Sequence, residues 1–268
     1  MKVLDSGSGS LQVSVRPVAS SNEGAHFNTT NPKVRMHGPS KESVANSVLA
    51  ALPHKECRRL VRDMEQVVLA YGEVLYEPGQ RIAHVYFPND CVVSLLTLVD
   101  LHQALEVGLV GREGMVGIPL TLETAVSPVR ALVQGTGTAM RMEAAPFLKE
   151  LRQSHALQRE LHRYTYSLMT QITQTAACNR FHVVEARLAR WLLMTQDRMR
   201  TNAFRLTQEF LAHMLGVRRV GVTKAARVLQ QDELISYSRG NITILDRKGL
   251  EAAACSCYAV VKDMHDAA

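Results

Sequence analysis

Leu206-Thr-Gln-Glu-Phe-Leu-Ala-His-Met-Leu-Gly-Val-Arg-Arg-Val-Gly-Val-Thr-Lys-Ala-Ala-Arg-Val-Leu-Gln-Gln-Asp-Glu-Leu-Ile235 is the stretch on which the reading of this chain turns. Thr207 stands where a helix N-cap is expected, and Phe210, Leu211, Met214 and Leu215 form one apolar stripe. Gly216 then permits the sharp backbone turn that ends a helix. A second helix is predicted over residues 218–230, with Val217, Val222, Ala225, Ala226 and Leu229 facing inward. The small alanines let two helices cross closely. The pattern is a helix-turn-helix, whose second helix fits the major groove of DNA and presents its N-terminal side chains to base edges.

Directly beyond it, residues 235–245 alternate apolar and polar around Gly240-Asn241, the pattern of a β-hairpin, with Arg239 at its tip. Between Asn179 and Leu250 there are thirteen Lys or Arg against six Asp or Glu, so this segment carries the whole positive excess of a chain whose net charge is +6. Such asymmetry is the electrostatic footprint of a polyanion binder. A two-helix corner used for protein contacts is the competing explanation of the motif.

Upstream, the period changes. From Val67 to about Met142 short runs rich in Val, Leu and Tyr are separated by Tyr71-Gly72, Pro78-Gly79, Pro88-Asn89-Asp90, residues 111–114, Gly117-Ile-Pro119 and Gly135-Thr-Gly137. That spacing predicts an antiparallel sandwich or roll. Two short helices precede it, the first capped by Asn46 and the second starting at Pro53. Pro146 opens a helical region in which Leu157, Leu161, Tyr164, Leu168, Gln171, Thr175 and Cys178 step by four and three. A core-facing helix of a monomer has the same period as a coiled-coil seam. The position between a β domain and a basic domain favours a dimer interface at Leu157, Leu161, Tyr164, Leu168, Gln171 and Thr175, with Tyr166, Met169 and Ile172 turned back toward the sheet. Residues 1–46, rich in Ser, Gly, Asn and Pro, are expected to be disordered, with Met36 an alternative start of translation.

With these features in view, the chain resembles the Crp/Fnr family of bacterial transcription regulators over about residues 47–250. The run Gly72-Glu-Val-Leu-Tyr-Glu-Pro-Gly79 matches the early strand and turn of the family's cyclic-nucleotide-binding roll, and Gly111-Arg-Glu-Gly-Met-Val-Gly117 its central turn. The helix after Pro146 corresponds to the dimerisation helix, and residues 207–235 align without gaps. The resemblance implies an α+β fold: a roll over 47–150, a dimerisation helix over 151–180 and a winged helix-turn-helix over 181–257, followed by a tail over 258–268. It places base contacts on Arg218, Arg219, Val220 and Lys224, Arg219 foremost because a guanidinium meets guanine O6 and N7 together. Val220 replaces a frequent Glu and suits a thymine methyl. Thr207, Gln208, Thr223, Arg227 and Arg239 are placed at phosphates. Gly221, unusual inside a helix, suits close approach to DNA, with an irregular helix start the alternative explanation.

The implied function is a homodimeric regulator of transcription that reads an inverted repeat in double-stranded DNA, with RNA polymerase a partner if it activates. Two alternatives stand beside it: a small-ligand sensor whose C-terminal domain binds a protein, and a non-specific architectural DNA binder. For the effector, Ile118 stands where the family's cyclic-nucleotide pattern has Glu, and Arg130 is one position out of register with no Arg-Ser or Arg-Thr pair. Binding of cAMP is therefore disfavoured and the cofactor left unknown.

Cys57, Cys91, Cys178, Cys255 and Cys257 form no C-x-x-C pair, so neither a metal site nor an iron–sulfur cluster is expected, and a reducing cytoplasm fits the odd count. His84, His102, His155 and His162 are isolated, and Cys91 and Cys178 read as small core residues. Residues 91–99, the most apolar run, are about half of what a membrane span requires. No P-loop, H-E-x-x-H or G-x-S-x-G is present, so catalysis is not expected.

Overall fold

The structure is a computed structural model that describes residues 45–99 and 104–266. The expected disordered tail, the alternative start at Met36 and the isolated His102 lie outside the described residues. Two short helices open the chain, α1 (Ser47–Ala51) and α2 (His54–Arg62). Asn46 caps α1 by accepting from the Leu49 amide at 3.3 Å, while its own Nδ2 donates to the Pro88 and Gly114 carbonyls at 3.0 and 2.9 Å. One fully buried amide thus starts a helix and fastens it to the strands behind.

Strands β1 (Glu65–Leu69), β2 (Val74–Tyr76), β3 (His84–Pro88), β4 (Val92–Leu98) and β5 (Ala104–Val110) follow, then a 3-10 turn over Ile118–Leu122, β6 (Arg130–Gly135) and β7 (Gly137–Glu143). They form two antiparallel sheets, ordered β1-β7-β3 and β2-β6-β4-β5. The apolar faces of the two sheets close on a common core that includes Tyr76, Val85, Phe87, Val93, Val133 and Met142. This is the expected roll.

Helix α3 (Ala144–Gln153) ends at Ser154, whose hydroxyl caps α4 (His155–Phe181) by accepting from the Leu157 amide at 3.0 Å. The heptad-like seam faces the opposite way from the expectation. Leu157, Leu161, Tyr164, Leu168, Gln171 and Thr175 are all buried within their own chain, the first four in the core of the roll. The polar end of the seam explains why. Strand β5 is the outer strand of its sheet, and Gln171 satisfies it, accepting from the Leu109 amide at 2.6 Å and donating to the Leu109 carbonyl at 3.1 Å. Thr175 in turn accepts from Arg190 at 3.3 Å. Tyr164 fills the space over Gly114, where an added Cβ would stand 2.0 Å from the ring. The second glycine of the central turn is therefore needed for packing. Tyr166 and Met169, expected to turn inward, are each 62 % exposed.

The remainder is α5 (Val184–Met199), β8 (Ala203–Arg205), α6 (Gln208–Leu215), α7 (Arg219–Gln231), β9 (Ile235–Ser238), β10 (Asn241–Ile244), α8 (Arg247–Ala253) and α9 (Cys257–Asp266). The expected C-terminal tail is instead a helix: α9 packs on α4, and Ser167 donates to the Met264 carbonyl at 3.3 Å. Helix α5 is buried almost all round. Its Leu188, Trp191 and Leu192 share one core with Val92, Leu96 and Leu109 of the roll and with Leu211, Val222, Leu229 and Ile242 of the C-terminal domain. At the same junction Trp191 Nε1 donates to Glu106 at 2.8 Å, Arg198 pairs with Glu113 at 2.8 Å, and the rings of Tyr71 and Phe210 lie 5.9 Å apart.

Candidate nucleic-acid interface

Thr207 caps α6 as expected, its hydroxyl accepting from the Phe210 amide at 3.1 Å. Gly216 closes that helix in the left-handed region at φ 59°, and Val217 donates back to the Ala212 carbonyl at 3.0 Å. A side chain at position 216 would face two obstacles, the backbone conformation and Leu105 Cδ1 at 2.7 Å from an added Cβ. Helix α7 begins one residue later than expected, with Arg218 as its extended N-cap. Val222, Ala225, Ala226 and Leu229 bury its inner face.

On the outer face Arg218, Arg219, Val220, Lys224 and Arg227 are exposed, Val220 by 64 %. An apolar residue this open on a first helical turn contributes little packing among the described residues. Gln208, from the start of α6, ties the face together: its Oε1 accepts from the Thr223 hydroxyl at 2.8 Å and from Arg219 Nε at 3.5 Å. The Thr223 hydroxyl also lies 3.1 Å from the Arg219 carbonyl. This orienting function of Gln208 was not legible in the sequence, because it needs the crossing of two helices. The neighbouring phenol of Tyr237 is pushed up by burial, against the opposing pull of the Arg219 charge. At Gly221 an added Cβ would meet, among the described residues, only Val217 at an ordinary 3.8 Å, so nothing among them requires glycine there.

The hairpin β9–β10 turns through Arg239 (φ 49°) and Gly240 (φ 79°), two consecutive left-handed residues of the kind that suit a two-residue hairpin. Strand β8 adds a third strand beside β10, and Tyr237 donates to the Leu206 carbonyl at 2.9 Å, locking the wing to α6. Arg239 is exposed at the tip. The basic excess is smaller on the surface than in the sequence, since Arg187, Arg190 and Arg198 are buried. What remains outside includes the positions expected to meet DNA.

Elsewhere, Arg130 of β6 is paired at 2.9 Å with Glu77, the residue that follows β2, and Ile118 is buried. An open cleft of about 520 Å³ lies between the 3-10 turn, α3 and α4, lined by Leu120, Leu151, Arg152 and His162. Cys91 is buried in the roll, and burial pushes its thiol up to about 12, so it is inert as a nucleophile. Cys178 is a different matter. Among the described residues it comes together with His182, Cys255 and Cys257, against the expectation of no metal-ligating group. Cys178 and His182 lie four apart at the end of α4, but their partners are some 75 residues downstream and only the packing of α9 on α4 brings them in. No helix of the described residues is long and apolar enough to cross a membrane.

Residues 186–253 match the Crp-like helix-turn-helix domain family. No curated protein matches the chain in sequence. Among solved structures, a CRP-family transcriptional regulator from Thermus thermophilus superposes with a TM-score of 0.60 at 18% identity, over 70% of this chain and 96% of its own. FixK2 from Bradyrhizobium japonicum gives 0.61 at 13% identity, over 72% and 98%. The c-di-GMP-responsive global regulator CLP of Xanthomonas campestris gives 0.60 at 15% identity, over 72% and 100%. The chain thus carries a Crp-like helix-turn-helix domain on a roll-and-helix architecture similar to that of these proteins.

Proposed function

We propose that the protein works as a homodimer in a bacterial cytoplasm, inserting α7 of each copy into the major groove of an inverted-repeat operator. The observation that carries this reading is the outward face of α7, where Arg218, Arg219, Val220 and Lys224 stand exposed on a helix whose other face is packed into the core. Arg219, braced by Gln208, is the main base reader, and Val220 meets a thymine methyl. Thr207, Gln208, Thr223, Arg227 and Arg239 surround that face and take phosphates, which position the domain without specifying sequence. The open space at Gly221 supports close approach of the duplex. Sites selected from random duplexes by the purified protein should be palindromic, with half-sites about one helical turn apart. On the selected site Arg219→Ala should lose roughly 1–3 kcal/mol and relax a single base position. Equal weakening on random and selected DNA would instead support a non-specific binder, and binding without a steep salt dependence would support a domain that recognises protein.

The dimer uses the face of α4 opposite the expected seam. Tyr166, Met169 and Ile172 are exposed apolar residues on a helix of 27 residues, and Thr173 and Ala176 continue their stripe at heptad spacing. A second copy of the same helix is the partner that a self-complementary stripe of this kind fits. Met169→Glu places like charges across that axis and should yield a monomer by sedimentation. Its binding to a full operator should weaken on the order of a hundredfold, from lost avidity, with half-site binding unchanged. A variant that stays dimeric would rule this face out.

A further inference from the structure

We propose that Cys178, His182, Cys255 and Cys257 bind one Zn²⁺ ion in a tetrahedral Cys₃His site that fastens the C-terminal segment to the joint between α4 and α5. The four ligand atoms all lie within 4.8 Å of one another. Cys178 Sγ stands 3.4 Å from Cys255 Sγ, and Cys257 Sγ stands 3.4 Å from His182 Nδ1. Zinc bonds of about 2.0–2.3 Å in a tetrahedron put neighbouring ligand atoms roughly 3.5 Å apart, so these separations suit a single ion. An iron–sulfur cluster interposes several atoms among its cysteines and needs a wider frame. Three sulfurs with one imidazole form a donor set of the kind found in closed structural zinc sites.

The surroundings agree. The three cysteines form a buried group apart from the two large cores, with Ala186, among the described residues, the partly buried apolar side chain packed on it. Gln174 Nε2 lies 3.0 Å from Cys257 Sγ, the hydrogen bond from an outer partner that holds a thiolate ligand in place. Two guanidinium groups, Arg187 and Arg190, are buried nearby, and neither has a carboxylate partner among the described salt bridges. The Nε of each also lacks a hydrogen-bond acceptor. Three thiolates around Zn²⁺ leave one net negative charge, which suits a site flanked by these buried cations. His182 is the C-cap of α4, where the backbone turns extended before α5. A metal held from both sides of that bend, by α4 and by the link between α8 and α9, sets the direction in which α5 and the helix-turn-helix leave the long helix.

The test uses the full chain carrying a tag without histidines, expressed with zinc in the medium, purified under reductant and dialysed against metal-free buffer. Elemental analysis should find one zinc per chain. Cys178→Ser combined with Cys255→Ser should abolish it, whereas Cys57→Ser combined with Cys91→Ser should leave it intact. His182→Cys, which preserves a four-ligand set, should retain the metal, a rescue that a packing role alone does not require. Should the serine variant fail to fold, the wild-type chain stripped by chelator supplies the readout: returning Zn²⁺ should slow alkylation of Cys178, Cys255 and Cys257 and raise the unfolding temperature. A zinc-free chain that gains neither protection nor stability from added Zn²⁺ would overturn the proposal. So would a Cys178–Cys255 disulfide in the reduced preparation, or iron accompanied by acid-labile sulfide. None of these readouts involves DNA, so they stand apart from the proposed operator binding.

Discussion

Trp191→Ala should cost about 3–5 kcal/mol of folding stability, a large part of what a domain of this kind possesses. The indole is 2 % exposed at the one place where the roll, α5 and the helix-turn-helix share a core. Its removal leaves a cavity bounded by three elements that cannot all close in, and it takes away the Nε1–H that Glu106 accepts at 2.8 Å. Trp191→Phe separates the two losses, since the ring remains and only the donor disappears; about 1–3 kcal/mol is expected. Urea unfolding followed by circular dichroism reads both. A loss below about 1 kcal/mol for the alanine variant would contradict the packing described here.

The second large effect concerns pH. Burial raises the Glu106 carboxyl to about 7 from an ordinary 4.5, against the opposing hydrogen bonds of Ser94 and Trp191 and the charges of Arg190 and Arg198. Between those two values the folded chain keeps a proton that the unfolded chain has released. Stability from this group is therefore greatest at and below about pH 4.5, falls as pH rises toward 7, and levels off above it. A shift of that size corresponds to a change of up to about 3 kcal/mol. Glu106→Gln keeps an oxygen for Trp191 and cannot ionise. It should match the parent near pH 5 and exceed it near pH 8, with emission from Trp191, the only tryptophan of the chain, reporting the transition. An equal difference between variant and parent at both pH values would show that Glu106 does not titrate in this range.

The parts of this molecule that were legible in the sequence are those whose signal is local. Thr207 and Gly216 carry their capping meaning within four residues of themselves, and both stand where the motif puts them. The turn glycines and alternating runs of the roll are likewise short-range. The seam of α4 shows the limit of periodicity: the stripe was real, but a stripe does not say which body covers it. Only the unpaired edge at Leu109, invisible in sequence, decides that Gln171 faces inward. The cysteine group was missed for a related reason. C-x-x-C spacing is one way of bringing ligands together, and here two helices far apart in sequence bring them instead.

The contact of Gly216 with Leu105, together with the ring pair Tyr71–Phe210, has a bearing on how a signal would travel. The helix-turn-helix domain is not a pendant on a tether; it leans on the roll. To swing, it must peel an oily seam open and wet it, and half-open positions recover none of that expense. Any reorientation between the two halves would therefore have to break that seam as a unit.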